Sequence, residues 1–496
     1  MRAREDGAPP ASLPTKAAGS SATPAPGSVA ASRTESHVVT PRHRVIIIGG
    51  GFGGLRAARA LGSAPVDVTL IDRRNYHLFQ PLLYQVATGS LSPGQIAAPL
   101  RGVLSHQKNM RVLMGDVVDV DPDARRVLLA DGASFEYDSL IVAAGSETSY
   151  YGHDEWRRWA PGMKSVEEAT HIRHKILYAF EVAERLTDPA ERLAWLRFVI
   201  VGGGATGVEL AGAIGEIARH TLKNDFRSIR PQDAEIILLD GAPRVLMSFP
   251  EDLSRKAAAS LARLGVHVKT GVMVKEIAHD GVTVVSGGAT DRLQSKTVIW
   301  AGGVTAPALG RTLARRTKAG TDRGGRLEVN ADLTVPGYPD VYVVGDLALA
   351  SGPNGKPLPG VAQVAMQQGT YAARAIRRTV EGRKPLPPFR YFDKGELAVI
   401  GRASAVANAF GLHLSGLPAW LIWAFIHLLY LVQFRSRITV LIEWALEDLT
   451  FSRAAQLITG PVASDFDFNE EMASEERRGS PLRDAVTIPG ARTSTS

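Results

Sequence analysis

The chain has 496 residues, of which 45% are hydrophobic and 22% charged, and this is enough for two or three domains that each bury a core. Its formal net charge of +7 includes no basic run with interleaved aromatic residues, so we predict no nucleic-acid binding and assign the excess charge to an anionic membrane surface. The absence of cysteine excludes disulfides, thiolate metal sites, iron–sulfur clusters on protein thiolates and catalytic dithiols, and we predict no bound metal.

The two ends of the chain have a composition typical of disorder. Residues 1–40 are rich in Ala, Pro, Ser, Thr and Gly, show no apolar periodicity and lack the apolar core of a secretory signal. Residues 463–496 are polar and interrupted by Pro and Gly. Neither segment can bury enough surface to offset the entropy of ordering it, so we predict a disordered tail at each end.

Two segments between the tails share one pattern of strand, glycine-rich turn, helix and second strand. Short apolar runs that lead into such a turn and a helix are typical of buried parallel strands. The second strand ends in Asp72 in the first segment and in Asp240 in the other. The parts are the apolar runs 44–48 and 198–201, the glycine turns 49–54 and 202–207, the helical runs 55–61 and 208–217, and the second strands 66–71 and 236–239.

Both turns have the glycine spacing G-x-G-x-x-G in the context that a dinucleotide-binding turn requires. The first glycine permits the turn, the second lets the backbone approach a pyrophosphate, and the third lets the helix pack on the strand. The helix N-terminus then offers free N–H groups and a partial positive charge to the phosphates. A tight turn without a ligand is the alternative for each loop, but two matches in context predict two dinucleotide-binding βαβ units.

Acids at the strand ends indicate which dinucleotide each unit binds. Asp240 suits the two ribose hydroxyls of NADH and repels a 2′-phosphate, although the nearby Arg244 is a counter-signal. The chain returns to the first unit through an apolar strand, 340–344, which ends in Gly345 and Asp346. A carboxylate there would accept hydrogen bonds from the ribityl chain of a flavin; the alternative is a turn or a helix N-cap. We therefore predict a flavin on the first unit and NADH on the second.

The C-terminal part contains an apolar block, Leu417 to Phe434, and an amphipathic stretch, Ile438 to Leu449. As one helix the block would be about 27 Å long, which is the lower edge of a membrane span. Two arginines follow it, and three of the seven Trp lie within 420–444, as is typical of membrane interfaces. We predict membrane contact through residues 417–449, with a core-capping helix or a dimer interface as alternatives. The apolar face of the amphipathic stretch is predicted to comprise Val440, Leu441, Trp444 and Ala445.

Four further segments carry a resemblance to a known family. They are Asn75–Ala87 (NYHLFQPLLYQVA), Tyr137–Gly145 (YDSLIVAAG), Val343–Asp346 (VVGD) and Ala362–Gly369 (AQVAMQQG). From about Arg44 to Ile458 the chain resembles the flavoproteins with two dinucleotide-binding domains, and within them the type II NADH dehydrogenases, which are non-proton-pumping NADH:quinone oxidoreductases. The family usually has Thr where this chain has Ala144, a change that leaves the turn intact.

The resemblance implies FAD as cofactor, NADH as hydride donor and a membrane quinone as acceptor, with the hydride passing to flavin N5 and two electrons then passing to the quinone. The helix that starts at Ala362 is implied to point at the pyrimidine end of the flavin, where its N-terminus stabilises negative charge. Gln363 and Gln367 are implied to border the quinone pocket, or else they decorate a solvated helix face. Glu209 matches a family glutamate near the junction of nicotinamide and flavin, where it orients NADH, relays a proton or only complements a helix N-terminus.

These arguments give Glu209, Gln363 and Gln367 as candidate catalytic residues, together with two sets of cofactor-binding residues. The predicted FAD set is Gly49, Gly51, Gly53, Gly54, Asp72, Ala144, Gly145, Gly345, Asp346, Ala362 and Gln363. The predicted NADH set is Gly202, Gly204, Gly207, Glu209, Asp240 and Gly302.

The predicted fold is α/β, with two Rossmann-like dinucleotide-binding domains, the second inserted in the first, and a C-terminal membrane-associating helical segment. The FAD-binding domain comprises 41–160 and 325–400, the NADH-binding domain 161–324, and the membrane-associating region 401–462. The resemblance implies peripheral attachment to the cytoplasmic side of the cell membrane. The sequence leaves open whether the chain forms a homodimer.

The electron acceptor is predicted from the absence of cysteine and from the apolar C-terminal block. The same fold serves enzymes that reduce disulfides, sulfide-derived sulfur, peroxide, oxygen or ferredoxin, and the absence of cysteine removes the dithiol and sulfide enzymes. The apolar block favours a quinone among the remaining acceptors. Two alternatives stay open: a soluble flavin-dependent NADH oxidoreductase that reduces ferredoxin or oxygen, and a nucleotide-bound interaction protein with vestigial turnover.

Overall fold

The computed structural model describes residues 42–352, 355–450 and 453–459. The predicted tails, 1–40 and 463–496, lie outside the described residues. The α-helices of the described part are α1 (Phe52–Ala60), α2 (Leu83–Ala87), α3 (Pro93–Ile96), α4 (Leu100–Leu104), α5 (Val166–Arg185), α6 (Pro189–Leu196), α7 (Ala205–Glu216), α8 (Glu251–Arg263), α9 (Ala308–Thr317), α10 (Ala362–Val380), α11 (Leu417–Tyr430) and α12 (Phe434–Thr450).

The strands of the described part belong to two larger sheets that are parallel or mostly parallel, to several small antiparallel sheets and to the small parallel pair β19-β22. In chain order they are β1 (His43–Ile48), β2 (Val66–Asp72), β3 (Tyr76–Leu78), β4 (Ala97–Pro99), β5 (Met110–Met114), β6 (Val117–Asp121), β7 (Arg126–Leu129), β8 (Ser134–Glu136), β9 (Ser139–Val142), β10 (Glu147–Thr148), β11 (Arg197–Val201), β12 (Glu235–Asp240), β13 (Val266–Thr270), β14 (Met273–Ala278), β15 (Gly281–Ser286), β16 (Ala289–Gln294), β17 (Thr297–Trp300), β18 (Val304–Thr305), β19 (Leu327–Glu328), β20 (Thr334–Val335), β21 (Tyr338–Val343), β22 (Ala348–Leu349), β23 (Glu396–Gly401), β24 (Ser404–Ala409) and β25 (Leu412–Gly416).

The two main sheets are of the Rossmann type. The larger has the order β20-β21-β9-β1-β2-β5, and only the edge strand β20 runs antiparallel to its neighbour. The smaller, β13-β12-β11-β17, is parallel throughout. In both, the strand before the glycine turn is central, and Val45, Ile47, Val199 and Ile200 on these strands are fully buried. Such continuous burial is expected where helices cover both faces of a parallel sheet.

Both sheets are built on one supersecondary plan. In each, the strand before the glycine turn pairs with the next parallel strand on one side and with a later strand on the other. A three-stranded antiparallel sheet, β6-β7-β8 in the first unit and β14-β15-β16 in the second, lies in the chain before that later strand. The chain leaves the larger sheet after β9 and returns to it at β20, and the smaller sheet is formed in between.

Helices α1 and α10 cross in close contact because glycine occupies the crossing point. A Cβ atom at Gly369 of α10 would lie 2.1 Å from the carbonyl oxygen of Gly53 in α1, which is closer than any real Cβ atom comes. A Cβ atom at Gly53 would in turn lie 3.3 Å from the carbonyl oxygen of Ala365. The crossing fixes the N-terminal half of α10 against the first glycine turn.

The C-terminal apolar block forms two helices with a break between them, so it is not the single helix of about 27 Å that was considered from its sequence. Helix α11 ends at Tyr430, and Leu431 leaves the helical conformation with ψ of 130°. The Arg437 guanidinium donates a hydrogen bond of 2.8 Å to the carbonyl of Leu431, which would otherwise lack a helical partner. None of the helices in the described residues has the length and apolar content needed to cross a bilayer.

The predicted apolar face of the amphipathic stretch is also divided by the structure. Val440 and Trp444 are buried, whereas Leu441 and Ala445 are exposed. Neighbouring positions on a helix point about 100° apart, so a pair of adjacent apolar residues easily faces both the core and the solvent. The Trp444 ring packs on the buried Trp423 ring with centroids 5.1 Å apart. These two tryptophans are therefore core residues and not the interfacial anchors that were predicted.

We predict that Gly369→Ala destabilises the protein by about 1–3 kcal/mol, because the added methyl group overlaps the backbone of α1. Gly102→Ala in α4 is the matched control, since nothing lies within 4 Å of a Cβ atom there. It is expected to be neutral or stabilising by about 0.5–1 kcal/mol, as for glycine replaced by alanine in a helix. Urea unfolding of both variants measures the difference, and equal midpoints would contradict the close crossing.

Candidate dinucleotide-binding cleft

The two glycine turns have the same backbone geometry at their first and third glycines. Gly49 and Gly202 have φ of +97° and +113°, a region that L side chains rarely adopt, and a Cβ atom at either would lie 2.4 Å from the carbonyl oxygen of the residue that follows β9 or β17. A Cβ atom at Gly54 would lie 1.8 Å from the carbonyl oxygen of Gly49, and one at Gly207 would lie 1.8 Å from that of Gly202. Each turn therefore brings its helix against its strand as only glycine allows.

The second glycine of each turn faces open space. Nothing lies within 4 Å of a Cβ atom built at Gly51 or Gly204. These glycines are also the N-cap residues of α1 and α7, and neither helix has a side-chain hydrogen bond to its N-terminal N–H groups. An open space beside uncapped N–H groups fits the pyrophosphate of a dinucleotide. The same arrangement occurs in both units.

Asp72 and Asp240 brace the turns from the ends of β2 and β12. Asp72 accepts a hydrogen bond of 2.5 Å from the N–H of Gly50 through one oxygen, and one of 2.7 Å from the residue two positions further on through the other. Asp240 accepts from the N–H of Gly203 and from the residue two positions further on in the same way. Burial raises the pKa of Asp72, and its two backbone hydrogen bonds oppose the rise. Each predicted ribose-binding acid thus also holds its own glycine turn in place.

Two side chains near the turns, His77 and Arg244, make hydrogen bonds to the backbone that the sequence did not indicate. His77 is buried, and its Nδ1 lies 2.9 Å from the carbonyl oxygen of Gly50. Burial lowers the pKa of His77 to about 4, so the neutral ring donates this bond and supports the turn. Arg244 donates to the carbonyl oxygens of Leu246 and Met247, each at 3.0 Å. Its guanidinium is therefore held by the backbone of its own loop.

A continuous cleft runs from the first glycine turn to the start of α7 and to α11. The second turn reaches it only through Ala205, Thr206 and Glu209 at the beginning of α7. The predicted residues that line the cleft are Gly49, Gly51, Gly53, Asp72, Ala144, Gly145, Gly345, Asp346, Ala362, Gln363 and Glu209. The predicted residues outside its lining are Gly54, Gly202, Gly204, Gly207, Asp240, Gly302 and Gln367.

Asp346 enters the cleft in a setting that the sequence did not indicate. Its Oδ2 accepts a hydrogen bond of 2.7 Å from the Ser146 hydroxyl and lies 3.9 Å from the Lys164 ammonium. The neighbouring N–H of Gly345 donates to Gln368 of α10 at 2.7 Å. Within the described residues the other oxygen of Asp346 makes no hydrogen bond. It is placed to accept one from a polyol chain in the cleft.

Helix α10 supplies a third uncapped N-terminus to the cleft. It begins at Ala362, and its N-cap residue Val361 makes no side-chain hydrogen bond to it. Gln363 lies at the cleft, with its amide nitrogen donating to the carbonyl of Gly395 at 2.9 Å. Gln367, one turn later, makes two hydrogen bonds to the backbone of Phe392, and neither of these residues lines the cleft. Both glutamines thus fix the segment 392–395, and only Gln363 faces the cleft.

Glu209 lies on α7 at the cleft without an ion pair to any described residue. Burial raises the pKa of Glu209 to about 8, and a long hydrogen bond of 3.5 Å from the N–H of Val399 opposes the rise only weakly. Tyr84 lines the same part of the cleft. Its hydroxyl accepts from Gln85 at 2.9 Å, and Gln85 in turn accepts from the Trp444 indole at 2.8 Å. The tyrosine proton is therefore directed away from Gln85.

The end of α11 closes the cleft with apolar and neutral groups. Ile426, His427, Leu429 and Tyr430 line this part. Burial lowers the pKa of His427 to about 4, so its ring is uncharged at neutral pH. Lys394 donates a hydrogen bond of 2.9 Å to the Tyr430 hydroxyl. Neither Lys394 nor Tyr430 was among the predicted site residues, because both lie far from the two glycine turns in the sequence.

Comparison with known proteins agrees with this architecture. Residues 43–369 match the family model of pyridine nucleotide-disulphide oxidoreductases. The chain is 48% identical over 424 residues to the type II NADH:quinone oxidoreductase Ndh of Mycobacterium tuberculosis, which covers 84% of this chain and 90% of that protein. It is 31% identical over 413 residues to the demethylphylloquinone reductase NdbB of Synechocystis, covering 81% of this chain and 96% of that protein.

Solved structures with the same fold come from more distant proteins. The structure of NDH2 from Plasmodium falciparum in complex with NADH has a TM-score of 0.75 at 21% identity, covering 84% of this chain and 100% of that one. The sulfide:quinone oxidoreductase of Aquifex aeolicus has a TM-score of 0.64 at 19% identity, covering 84% of this chain and 96% of that one.

We predict that Gly204→Val folds normally but weakens dinucleotide binding at the second turn by at least about tenfold, because its side chain fills the open space beside α7. Gly202→Val, two residues earlier, is expected to destabilise the fold itself, since it combines positive φ with a backbone overlap. Thermal unfolding and calorimetric titration with NADH separate the two effects. Normal NADH affinity in Gly204→Val would show that this space binds no pyrophosphate.

Proposed function

Because the chain belongs to the pyridine nucleotide-disulphide oxidoreductase family, and within it to the type II NADH:quinone oxidoreductases, we propose that its cleft brings together FAD on the first unit, NADH on the second and a quinone beside α11. The observation that carries this proposal is the single cleft lined by the first glycine turn, the start of α7 and the end of α11. The disulfide chemistry in the family's name needs cysteine, which the chain lacks.

The first unit has the features that FAD requires. The open space at Gly51 suits the pyrophosphate, Asp72 stands at the end of the next strand, and the unpaired oxygen of Asp346 suits the ribityl hydroxyls. The uncapped start of α10 at Ala362 would stabilise negative charge on the ring system. FAD, when bound, supplies the acceptor for the NADH hydride and the donor of two electrons to the quinone. We assign it to 41–160 and 325–400.

NADH is assigned to the second unit, residues 161–324, because its turn repeats the geometry of the first. Asp240 stands where a ribose-binding acid belongs and would repel a 2′-phosphate. Arg244 does not offset that repulsion, since two backbone carbonyls hold its guanidinium. Gly302 lies beside β17, where Tyr151 donates to its carbonyl oxygen at 2.7 Å. This arrangement supports a preference for NADH over NADPH.

Glu209 is proposed as the residue that provides a proton at the cleft. With a pKa of about 8 its carboxyl group keeps its proton at neutral pH, so it can donate to a reduced acceptor. Besides Glu209, we propose that Lys394 lies next to the quinone. The position of Lys394 depends on Gln363 and Gln367. These glutamines hold the segment that carries Lys394, and we assign them this positioning task.

The outward faces of α11 and α12 are proposed as the membrane-contacting surface. Ten large apolar side chains on them are between 41% and 78% exposed, which is unusual for a surface left to water. They recur at helical spacing and form an outward stripe that comprises Leu417, Leu421, Phe425, Leu429, Phe434, Ile438, Leu441, Ile442, Leu446 and Leu449. We place this surface on the cytoplasmic leaflet as a peripheral attachment.

A basic groove next to the end of α11 supports the same surface. Arg56, Arg374, Arg390 and Lys394 line it together with Tyr430. Within the described residues no carboxylate lies within ion-pair distance of these four cations. Unpaired cations beside an apolar stripe suit the phosphates of anionic lipid headgroups.

The test of the function separates the two half-reactions by stopped flow. We predict that NADH bleaches the flavin absorbance, that NADPH does so more slowly, and that a short-chain quinone then restores the absorbance. Absence of recolouring on the timescale of turnover would exclude a quinone as acceptor. In the Glu209→Gln variant bleaching should persist while recolouring slows by about tenfold or more.

The same experiment carries a pH signature of Glu209. In the wild type, recolouring should slow as pH rises through about 8, because the carboxyl group loses its proton there. Glu209→Gln should lack that decline, since its amide does not titrate. An identical pH profile in both proteins would remove Glu209 from the proton step.

Membrane contact is tested with the double variant Leu421→Ser and Phe425→Ser. We predict at least tenfold weaker binding to vesicles of phosphatidylglycerol and phosphatidylcholine, because each buried apolar side chain contributes about 1.5–3 kcal/mol. Met114→Ser on β5 is the matched control, since its side chain is 68% exposed but lies outside the stripe. Turnover of a soluble quinone should stay unchanged in both, and undiminished co-sedimentation of the double variant would refute the surface.

A further inference from the structure

A second, smaller cavity lies next to the cleft, and Glu209 and Tyr84 line both spaces. These two side chains therefore form the partition between the cleft and the cavity. The cavity offers about 80 Å³ of space that water can occupy, which is enough for several molecules. The functional roles given above do not use it.

One face of α7 forms a wall of this cavity. Glu209, Ala213 and Glu216 line it, and His220 lines it from the π-helical turn Ile217–Thr221 that follows α7. The spacing of four and three residues places the first three on the same side of α7. At about 1.5 Å per residue, Glu209 and Glu216 are separated by about 10 Å along the axis, which is too far for a direct hydrogen bond. The small side chain of Ala213 leaves room for water between them.

The cavity has a buried end and an exposed end. Near Glu209 it is closed by Tyr84 and Trp423, which are buried. At the other end its lining includes His220 and Arg402, which are exposed. The cavity thus leads from the solvent-exposed surface of the protein to the inner side of Glu209. The cavity lining and the apolar stripe share no residue of α11 or α12.

The charges along the cavity favour holding a proton. Arg453 is buried and forms ion pairs with Glu216 at 3.2 Å and with Glu447 at 3.0 Å. Burial raises the pKa of Glu216, and Arg453 opposes the rise. Carboxylates outnumber arginines in the lining, since Glu209, Glu216, Glu447 and Asp448 face only Arg402 and Arg453. An excess of partly buried carboxylates raises the affinity of the group for a proton.

We propose that this cavity is the proton inlet of the enzyme, through which a proton passes from water at His220 by way of Glu216 and waters beside Ala213 to Glu209. The inference rests on the proposed quinone reduction. Quinol formation takes up two electrons and two protons, and the hydride of NADH brings two electrons and one proton nucleus. Each turnover therefore consumes one proton from solvent. During its passage, carboxyl O–H bonds break and re-form, and each carboxyl group ends as it began.

The inlet explains why Glu209 needs a supply separate from the cleft. With NADH and a quinone in place, the cleft side of Glu209 is covered by the reactants, and Lys394, which donates a hydrogen bond to Tyr430, is the charged group beside the otherwise apolar and neutral end of α11. Re-protonation from behind lets the carboxyl group recover its proton while the cleft is occupied. The hydrogen-bond chain from Trp444 through Gln85 to Tyr84 keeps the partition ordered.

Two variants of the full-length, FAD-loaded protein test the inlet by different means. Glu216→Gln keeps a hydrogen-bond acceptor but removes the titrating group, and Arg453 retains its pairing with Glu447. Ala213→Val changes no charge and fills the space between Glu209 and Glu216. Glu381→Gln is the matched control, because Glu381 is also paired with two arginines but lies outside the cavity.

The first measurement is the pair of stopped-flow half-reactions. We expect flavin bleaching by NADH to be unchanged in all three variants. Recolouring by a short-chain quinone should slow about tenfold in Glu216→Gln and Ala213→Val, with a larger solvent deuterium isotope effect, and should stay unchanged in Glu381→Gln. If the wild type itself is not recoloured by a quinone, the proposed function fails. If the wild type recolours and both variants match it, only the inlet fails.

The second measurement does not depend on turnover. The infrared band of the protonated Glu209 carboxyl group, assigned by its loss in Glu209→Gln, shifts when the resting protein is transferred to D2O. We expect this exchange to slow in Ala213→Val and Glu216→Gln relative to the wild type and Glu381→Gln. Equal exchange rates in all four proteins would show that Glu209 exchanges its proton through the cleft and would overturn the proposal.

Discussion

The organisation of this protein depends on a backbone contact that no side chain permits. The helix after each glycine turn begins so close to its own strand that a Cβ atom at Gly54 or Gly207 would lie 1.8 Å from a carbonyl oxygen. This contact directs the N-termini of α1 and α7 toward open space, where free N–H groups and the helix dipole attract a pyrophosphate. The proposed positions of both dinucleotides rest on it, and so does the place where α7 meets the cleft.

The C-terminal helices combine two roles that their sequence presents as one apolar pattern. Trp423 and Trp444 pack on each other in the core, and Trp444 reaches Tyr84 at the cleft through Gln85. The outward positions of the same helices carry the exposed apolar stripe. Because one helix pair contacts the cleft, the core and the proposed membrane surface, a quinone leaving the bilayer would have a short path to the reactive groups.

Local rules of the sequence predicted the two glycine turns and the strands on each side of them, because each depends on steric limits within a few residues, whereas the helix that starts at Ala362 was implied by the resemblance. The same rules failed at the C-terminal block. A run of apolar residues predicts a helix but does not show where packing interrupts it. The hydrogen bond from Arg437 to the carbonyl of Leu431 forms because the chain turns between these two residues. Hydropathy also cannot tell a tryptophan of the core, such as Trp423, from one at a membrane interface.

The sequence by itself determined the two βαβ units with their glycine turns, the acids at their strand ends and the exclusion of thiol chemistry, since these rest on residue type and short spacing. Only the tertiary structure decided which distant groups meet. It placed Ser146 on Asp346, the backbone of 392–395 on Gln363 and Gln367, and Arg453 on Glu216. These pairs are far apart in the chain, and their contact depends on how whole sheets and helices pack, which no local pattern encodes.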